Sequence, residues 1–316
     1  MDDNPRHTRR AILLAHLAML AYALLIAGSF SFGALAAPHI PPTVLNALRF
    51  LAASVLMGFM LLASQRRVQM PSAPWRFMVL GGLMAVYFVL MFVALRITDP
   101  VSTGAVFTLI PFMSAVFGWF LMKQKTRPAV WLGLVVAAIG ALWVIFRGDV
   151  ARALEFHVGK GEAIFLVGCA CQALYAPMVR LLSRGESILE FTVWTLVGCT
   201  VCLLPFAVPE LAKTGWSSLG WQVWLAIAYL VVGATAVSFY LLQYGSMHLP
   251  ASKLFAYAYL TPSFVILLEI ILGHGLPPLA ITVGAAITCL GLIVVVSTPD
   301  STGSSPSRRF ADDAAS

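Results

Sequence analysis

The sequence predicts an all-α integral membrane protein with ten transmembrane helices, arranged as two inverted five-helix repeats. Three observations lead there. The 316-residue chain is 60% hydrophobic and 10% charged, with a mean hydropathy of +0.90, whereas a soluble domain carries about 25% charged residues. Apolar runs of roughly the 20 residues that cross a bilayer recur ten times. The chain also repeats itself at an offset of 151 residues. Gly82, Ala85, Val86 and Phe88 recur as Gly233, Ala236, Val237 and Phe239. Ala105, Leu109 and Pro111 recur as Ala256, Leu260 and Pro262, and Gly133, Gly140 and Val144 as Gly284, Gly291 and Val295. Five spans per half is an odd number, so the second copy enters the membrane from the opposite side, the organisation of many secondary transporters.

The first span, about 12–36, follows Arg9 and Arg10 and ends in Ala34-Leu35-Ala36, a pattern shared with cleavable signal peptides. Its apolar run is long for such a segment and is read as an uncleaved anchor. The second span (42–63) contains Arg49, and the third (75–95) holds Tyr87 at mid-span. The fourth (101–122) and ninth (252–272) carry Pro111 and Pro262 close to mid-helix. An interior proline removes a backbone hydrogen bond and kinks the helix, so these two are the candidate hinges. The fifth (129–146) and tenth (279–297) carry Gly133, Ala137, Gly140 and Gly284, Thr288, Gly291, small residues that allow close helix contact within one chain or with a second copy.

The charged linker Arg147–Glu162 separates the halves, giving repeats at 11–147 and 161–297 and a polar tail, 298–316, read as disordered. The sixth span (161–182) sets Gln172 and Tyr175 on one face. The seventh (188–208) contains Cys199-x-x-Cys202. Without a Cys or His pair in a loop beside it, this metal-like spacing is read as small packing residues, and neither metal nor disulfide is expected. The eighth (221–244) begins among the interfacial Trp216, Trp221 and Trp224 and aligns Tyr240, Gln243 and Tyr244 at i, i+3, i+4. The ninth adds Lys253 and Tyr257 on one face, Tyr259 near Pro262, and Glu269.

The net charge of +7 is a matter of sidedness rather than of nucleic-acid binding. With the N-terminus inside, the cytoplasmic ends hold 14 of the 20 basic residues and the opposite side holds 5, with Arg49 inside the second span. This positive-inside bias places both termini in the cytoplasm of a bacterial-type inner membrane.

Ala94-Leu95, Ser102-Thr103-Gly104-Ala105, Leu109-Ile110-Pro111, Gly133 and Gly140 form one spaced set. Leu249-Pro250-Ala251-Ser252, Tyr259-Leu260-Thr261-Pro262, Gly284 and Gly291 form its counterpart. Gly28-Ser29-Phe30 and Leu45-Asn46-Ala47-Leu48-Arg49-Phe50 precede them. Together these resemble the EamA-type transporters of the drug/metabolite transporter superfamily, over roughly 12–297. The resemblance implies two inverted five-helix repeats with the substrate passing between them. It also implies a secondary carrier, from a family that exports amino acids and metabolites and takes up vitamins and other solutes. One departure stands out. Gln124, and His274 or Gly275, occupy the places after the fourth and ninth helices where the family commonly has glutamate.

Ionisable groups within a bilayer are costly and mark function by default. Arg49 and Glu269 are the two that qualify clearly, both in the outer half at depths that permit an ion pair. Tyr87, Gln172, Tyr175, Tyr240, Gln243 and Tyr257 are the aromatic and polar candidates for a cavity that takes an amphipathic solute. No phosphate-binding glycine loop or His/Glu metal motif is present, so neither an ATP-driven pump nor a cofactor is called for. The expected partners are a small-molecule solute and the lipid bilayer, with a second copy of the chain admitted. Export of small metabolites by alternating access leads; import of a vitamin-like solute, or a polytopic membrane enzyme or scaffold, are the alternatives.

Overall fold

The computed structural model describes residues 5–36, 38–64, 70–97, 106–124, 126–146, 148–155, 159–271 and 279–298. An apolar chain inside a bilayer must satisfy its backbone hydrogen bonds within the segment, and helices do so. The described residues form α1 (Pro5–Ala36), α2 (Pro42–Ser64), α3 (Trp75–Leu95), α4 (Ile110–Met122) and α5 (Pro128–Ile145). After the one-turn helix Val150–Leu154 come α6 (Lys160–Leu182) and α7 (Ile188–Leu211). The eighth helix, α8, joins Trp221–Val231, a π-helical stretch Val232–Val237 and Ser238–His248. The ninth, α9, joins Ala251–Ala256, a 3-10 turn Tyr257–Leu260 and Thr261–Ile271. Leu279–Ser297 is α10. Eight spans among the described residues are long and apolar enough to cross a membrane, and the apolar Ile110–Met122 and Thr282–Ser297 are shorter. The molecule is an all-α, multi-pass membrane bundle.

The two prolines correct the expectation of a kink at mid-helix. Pro111 lies in the first turn of α4, just after a turn at 108–109. Pro262 lies in the first turn of Thr261–Ile271, just after the 3-10 turn. The cause is the missing N–H together with the clash between the proline ring and the carbonyl four residues back. The helix stops ahead of each proline and restarts with it, since the first turn needs no such donor.

Polar side chains fix the helix ends. Ser187 and Glu190 form a reciprocal capping box at the start of α7: Ser187 Oγ accepts from the Glu190 amide (3.2 Å) and Glu190 Oε2 from the Ser187 amide (3.1 Å). Arg76, fully buried at the start of α3, donates to the Leu182 carbonyl at the end of α6 and pairs with Glu186. Partial burial alone raises the Glu186 pKa. The hydrogen bonds from Arg76 and from the Arg184 amide outweigh this and hold it below the usual carboxylate value. Arg180 donates to the carbonyls of Ser246 (2.5 Å) and Leu249, tying α6 to the end of α8. Besides Arg49, the fold buries Arg76, Glu162 and Lys253, each near a helix end where backbone groups are free to bind them.

The largest helix pairings map onto one another when the halves are exchanged. α3 packs on α6 and α8 on α1; α4 packs on α6 and α9 on α1; α3 packs on α7 and α8 on α2. The pairs α2–α7, α4–α9 and α5–α10 are their own counterparts. In the α5–α10 seam the helices run antiparallel. A Cβ on Gly133 would stand 2.9 Å from the Gly291 carbonyl, and one on Gly284 would stand 3.0 Å from the Gly140 carbonyl. A Cβ on Gly140 would lie 2.5 Å from the Thr288 nitrogen, and one on Gly291 2.4 Å from the Ala137 nitrogen. These close approaches leave no room for a side chain, the packing mode that small residues permit between membrane helices.

Candidate solute site between the two halves

Residues that are equivalent in the repeat meet each other where the halves join. Phe88 and Phe239, 151 positions apart, stack with ring centroids 6.4 Å apart. Thr108 and Tyr259 share the same offset, and the Tyr259 hydroxyl donates to the Thr108 carbonyl at 3.0 Å. Phe50 meets both Phe88 and Phe239 edge-on, at 5.5 and 5.6 Å, and Tyr175 meets Phe239 edge-on at 6.4 Å. Tyr87 packs against Phe88 at 4.8 Å and near Phe165 at 6.1 Å. The result is a buried aromatic centre drawn from α2, α3, α6 and α8.

Arg49 closes one end of this centre. Its guanidinium lies 4.6 Å from the Phe88 centroid and 5.7 Å from that of Phe50, within cation–π range. Nε donates to Thr235 Oγ1 at 2.8 Å and Nη2 to the Ala234 carbonyl at 3.0 Å. Both acceptors belong to the π-helical stretch of α8. The Thr235 hydroxyl in turn donates five residues back to the Leu230 carbonyl (2.7 Å), and the Ser238 hydroxyl donates to Ala234 (2.8 Å). A π-turn frees carbonyls from the regular ladder. Here two hydroxyls and one arginine take them up. No carboxylate bonds Arg49 among the described residues.

At the other end, Gln243 Nε2 donates to the Tyr175 hydroxyl (2.7 Å) and to Thr195 Oγ1 (3.3 Å). Gln172 makes a long hydrogen bond, 3.4 Å, to the Tyr22 hydroxyl. The Oε1 atoms of Gln172 and Gln243, and Oδ1 of Asn46, are buried without a partner among the described residues.

Of the residues singled out from sequence, the structure brings Arg49, Tyr87, Tyr175 and Gln243 into this one network, with Gln172 one turn from Tyr175 on the same face of α6. Tyr257 is also buried but stands apart from it, hydrogen-bonded to His16 Nδ1 at 2.9 Å. Tyr240 lies 37% exposed on the perimeter. Positions three apart are about 60° round a helix, enough to carry it out of the inward stripe that holds Gln243. The Glu269 side chain lies outside the described residues, so the pairing expected with Arg49 does too. Tyr22, Thr195 and Thr235 were not singled out from sequence, and a lone hydroxyl in an apolar span gives little signal. Phe88 and Phe239 did leave a signal, as a matched pair in the repeat register.

The described helices form a membrane bundle whose halves meet across buried aromatic, amide and guanidinium groups. The chain belongs to the EamA-like transporter family, whose model matches residues 13–146 and 159–297. It is a polytopic membrane transporter of small organic solutes. It is 26% identical to the aromatic amino acid exporter YddG of Ancylobacter novellus, over 90% of this chain and 96% of that one. It is 23% identical to the transporter YyaM of Bacillus subtilis, over 88% of this chain and 92% of that one. A solved crystal structure, 22% identical, shares the fold with a TM-score of 0.72, over 91% of this chain and 97% of that one.

Proposed function

We propose that the chain is a secondary carrier that exports amino acids or closely related metabolites across a bacterial inner membrane, aromatic ones foremost, by alternating access of two inverted five-helix repeats. The observation that carries this reading is the meeting of equivalent residues across the halves at Phe88 and Phe239, flanked by Arg49 on one side and by Tyr175 and Gln243 on the other. Rocking one half against the other changes access around such a centre while leaving the centre in place. The aromatic lining and the relative named as an aromatic amino acid exporter favour a solute with a ring. Counterflow in proteoliposomes tests it. Preloaded L-phenylalanine, tyrosine or tryptophan is expected to accelerate entry of its labelled form. Exchange no faster than in protein-free liposomes, across these and a wider metabolite panel, overturns the reading.

Topology is checked separately. Reporter fusions are expected to place Arg67, Lys125 and Arg184 inside and Ala153 and Lys213 outside. Lys125 and Ala153 on one side of the membrane would remove the inverted repeat.

The broken helices supply the mechanical prediction. Alanine at Pro111 and Pro262 restores an N–H facing the carbonyls of Phe107 and Ala258, four residues back, and joins the helix segments. A restored bond of about 1 kcal/mol that favours one access state slows exchange roughly fivefold. The double variant is expected to insert at wild-type abundance and to exchange more slowly. Wild-type flux means that the breaks serve packing alone.

A further inference from the structure

We propose that the side-chain carbonyls of Gln172 and Gln243 form the subsite that receives the ammonium group of the transported solute. This rests on the reading of the chain as an amino-acid carrier. Gln243 is fully buried, and the orientation of its amide is fixed by its neighbours. Thr195 Oγ1 gives its single proton to the Phe191 carbonyl at 2.7 Å, so toward Gln243 it can only accept. The amide nitrogen therefore faces Thr195 and Tyr175, which leaves Oε1 pointing elsewhere with no donor among the described residues. Gln172 lies against the Tyr22 hydroxyl through Nε2 at 3.4 Å, and its Oε1 has no partner among the described residues.

Buried acceptors without a donor are rare because the desolvation cost goes uncompensated. Two of them here border the same face of α6, since Gln172 and Tyr175 are three residues apart and Gln243 reaches Tyr175 directly. A solute carrying N–H donors supplies what both lack. Arg49, at the far end of the contact chain through Phe88, Phe239 and Tyr175, repels an ammonium and attracts a carboxylate. The site thus has an acceptor end and a donor end separated by apolar rings, and it orients a zwitterion.

The test uses full-length protein in proteoliposomes, with counterflow of labelled L-phenylalanine and two unlabelled competitors. One competitor is L-phenylalanine; the other is 3-phenylpropionate, the same skeleton without its amine. In the wild type 3-phenylpropionate is expected to compete at least about tenfold more weakly, the effect of one hydrogen bond to a charged group. Gln172→Leu and Gln243→Leu are each expected to shrink that ratio to about threefold or less. They do so by weakening phenylalanine and leaving 3-phenylpropionate unchanged. Gln172 makes a single long hydrogen bond, so Gln172→Leu keeps the test open should Gln243→Leu lower the yield of folded carrier. Equal competition in the wild type, or a wild-type ratio in Gln172→Leu, overturns the amine subsite and leaves the carrier reading standing. Absence of wild-type phenylalanine counterflow overturns the amino-acid reading and the subsite together.

Discussion

Arg49→Ala is expected to lower exchange by at least about 100-fold and to reduce the yield of folded protein. Arginine joins α2 to the π-turn of α8 through Thr235 Oγ1 and the Ala234 carbonyl. Each hydrogen bond from a charged donor contributes about 1.5–3 kcal/mol, so losing both accounts for roughly two orders of magnitude or more. Arg49→Lys is not expected to rescue, because a single ammonium on a flexible stem does not reproduce a planar fork that reaches two acceptors. Thr235→Val keeps the shape and removes one acceptor, and it should give a smaller loss. A double-mutant cycle of Arg49→Ala with Thr235→Val, read by thermal unfolding in detergent, should show coupling. Additive losses, or wild-type exchange by Arg49→Ala, would mean that the guanidinium does not hold the π-turn.

Gly198→Val is expected to abolish folded protein. At the α3–α7 crossing the two backbones touch. A Cβ on Gly198 would stand 2.1 Å from the Phe77 carbonyl oxygen, and one on Gly81 would stand 2.3 Å from the Cys199 nitrogen. The obstructing atoms are backbone, so no rotamer change relieves the clash, and the helices must separate. Overpacking costs typically about 1–3 kcal/mol in forgiving cores, and a backbone clash of this depth exceeds that range. Gly58→Val is the matched control, since a Cβ at Gly58 meets nothing within 4 Å. Size-exclusion profiles after detergent extraction decide the matter: a sharp wild-type-like peak for Gly198→Val would show that α3 and α7 do not cross so closely.

Much of the candidate site was legible because intramembrane chemistry is sparse. Arg49, Tyr87, Gln172, Tyr175 and Gln243 stand out against an apolar chain, since a polar group in lipid has to find a partner or a purpose. Tyr240 shows where that logic stops. Helical spacing says which residues lie near one another around a helix, but only the neighbouring helices decide where the inward stripe ends, and Tyr240 falls outside it. The π-turn of α8 was not legible either. No proline marks it, and its stabilising groups come from Thr235, Ser238 and a distant arginine.

By itself the sequence determined that the chain is a helical membrane protein and that its halves share a register of 151 residues, with prolines and glycines at matching places. Hydropathy, proline and glycine act locally, through desolvation of the backbone, a missing donor and a missing side chain, so they can be read along one dimension. Only the tertiary structure decided which equivalents meet. It brought Phe88 onto Phe239 and Tyr259 onto Thr108, and it placed Gly133 against Gly291 rather than against its own repeat partner Gly284. Those choices depend on how the two halves dock, and docking is set by close packing between segments far apart in the chain.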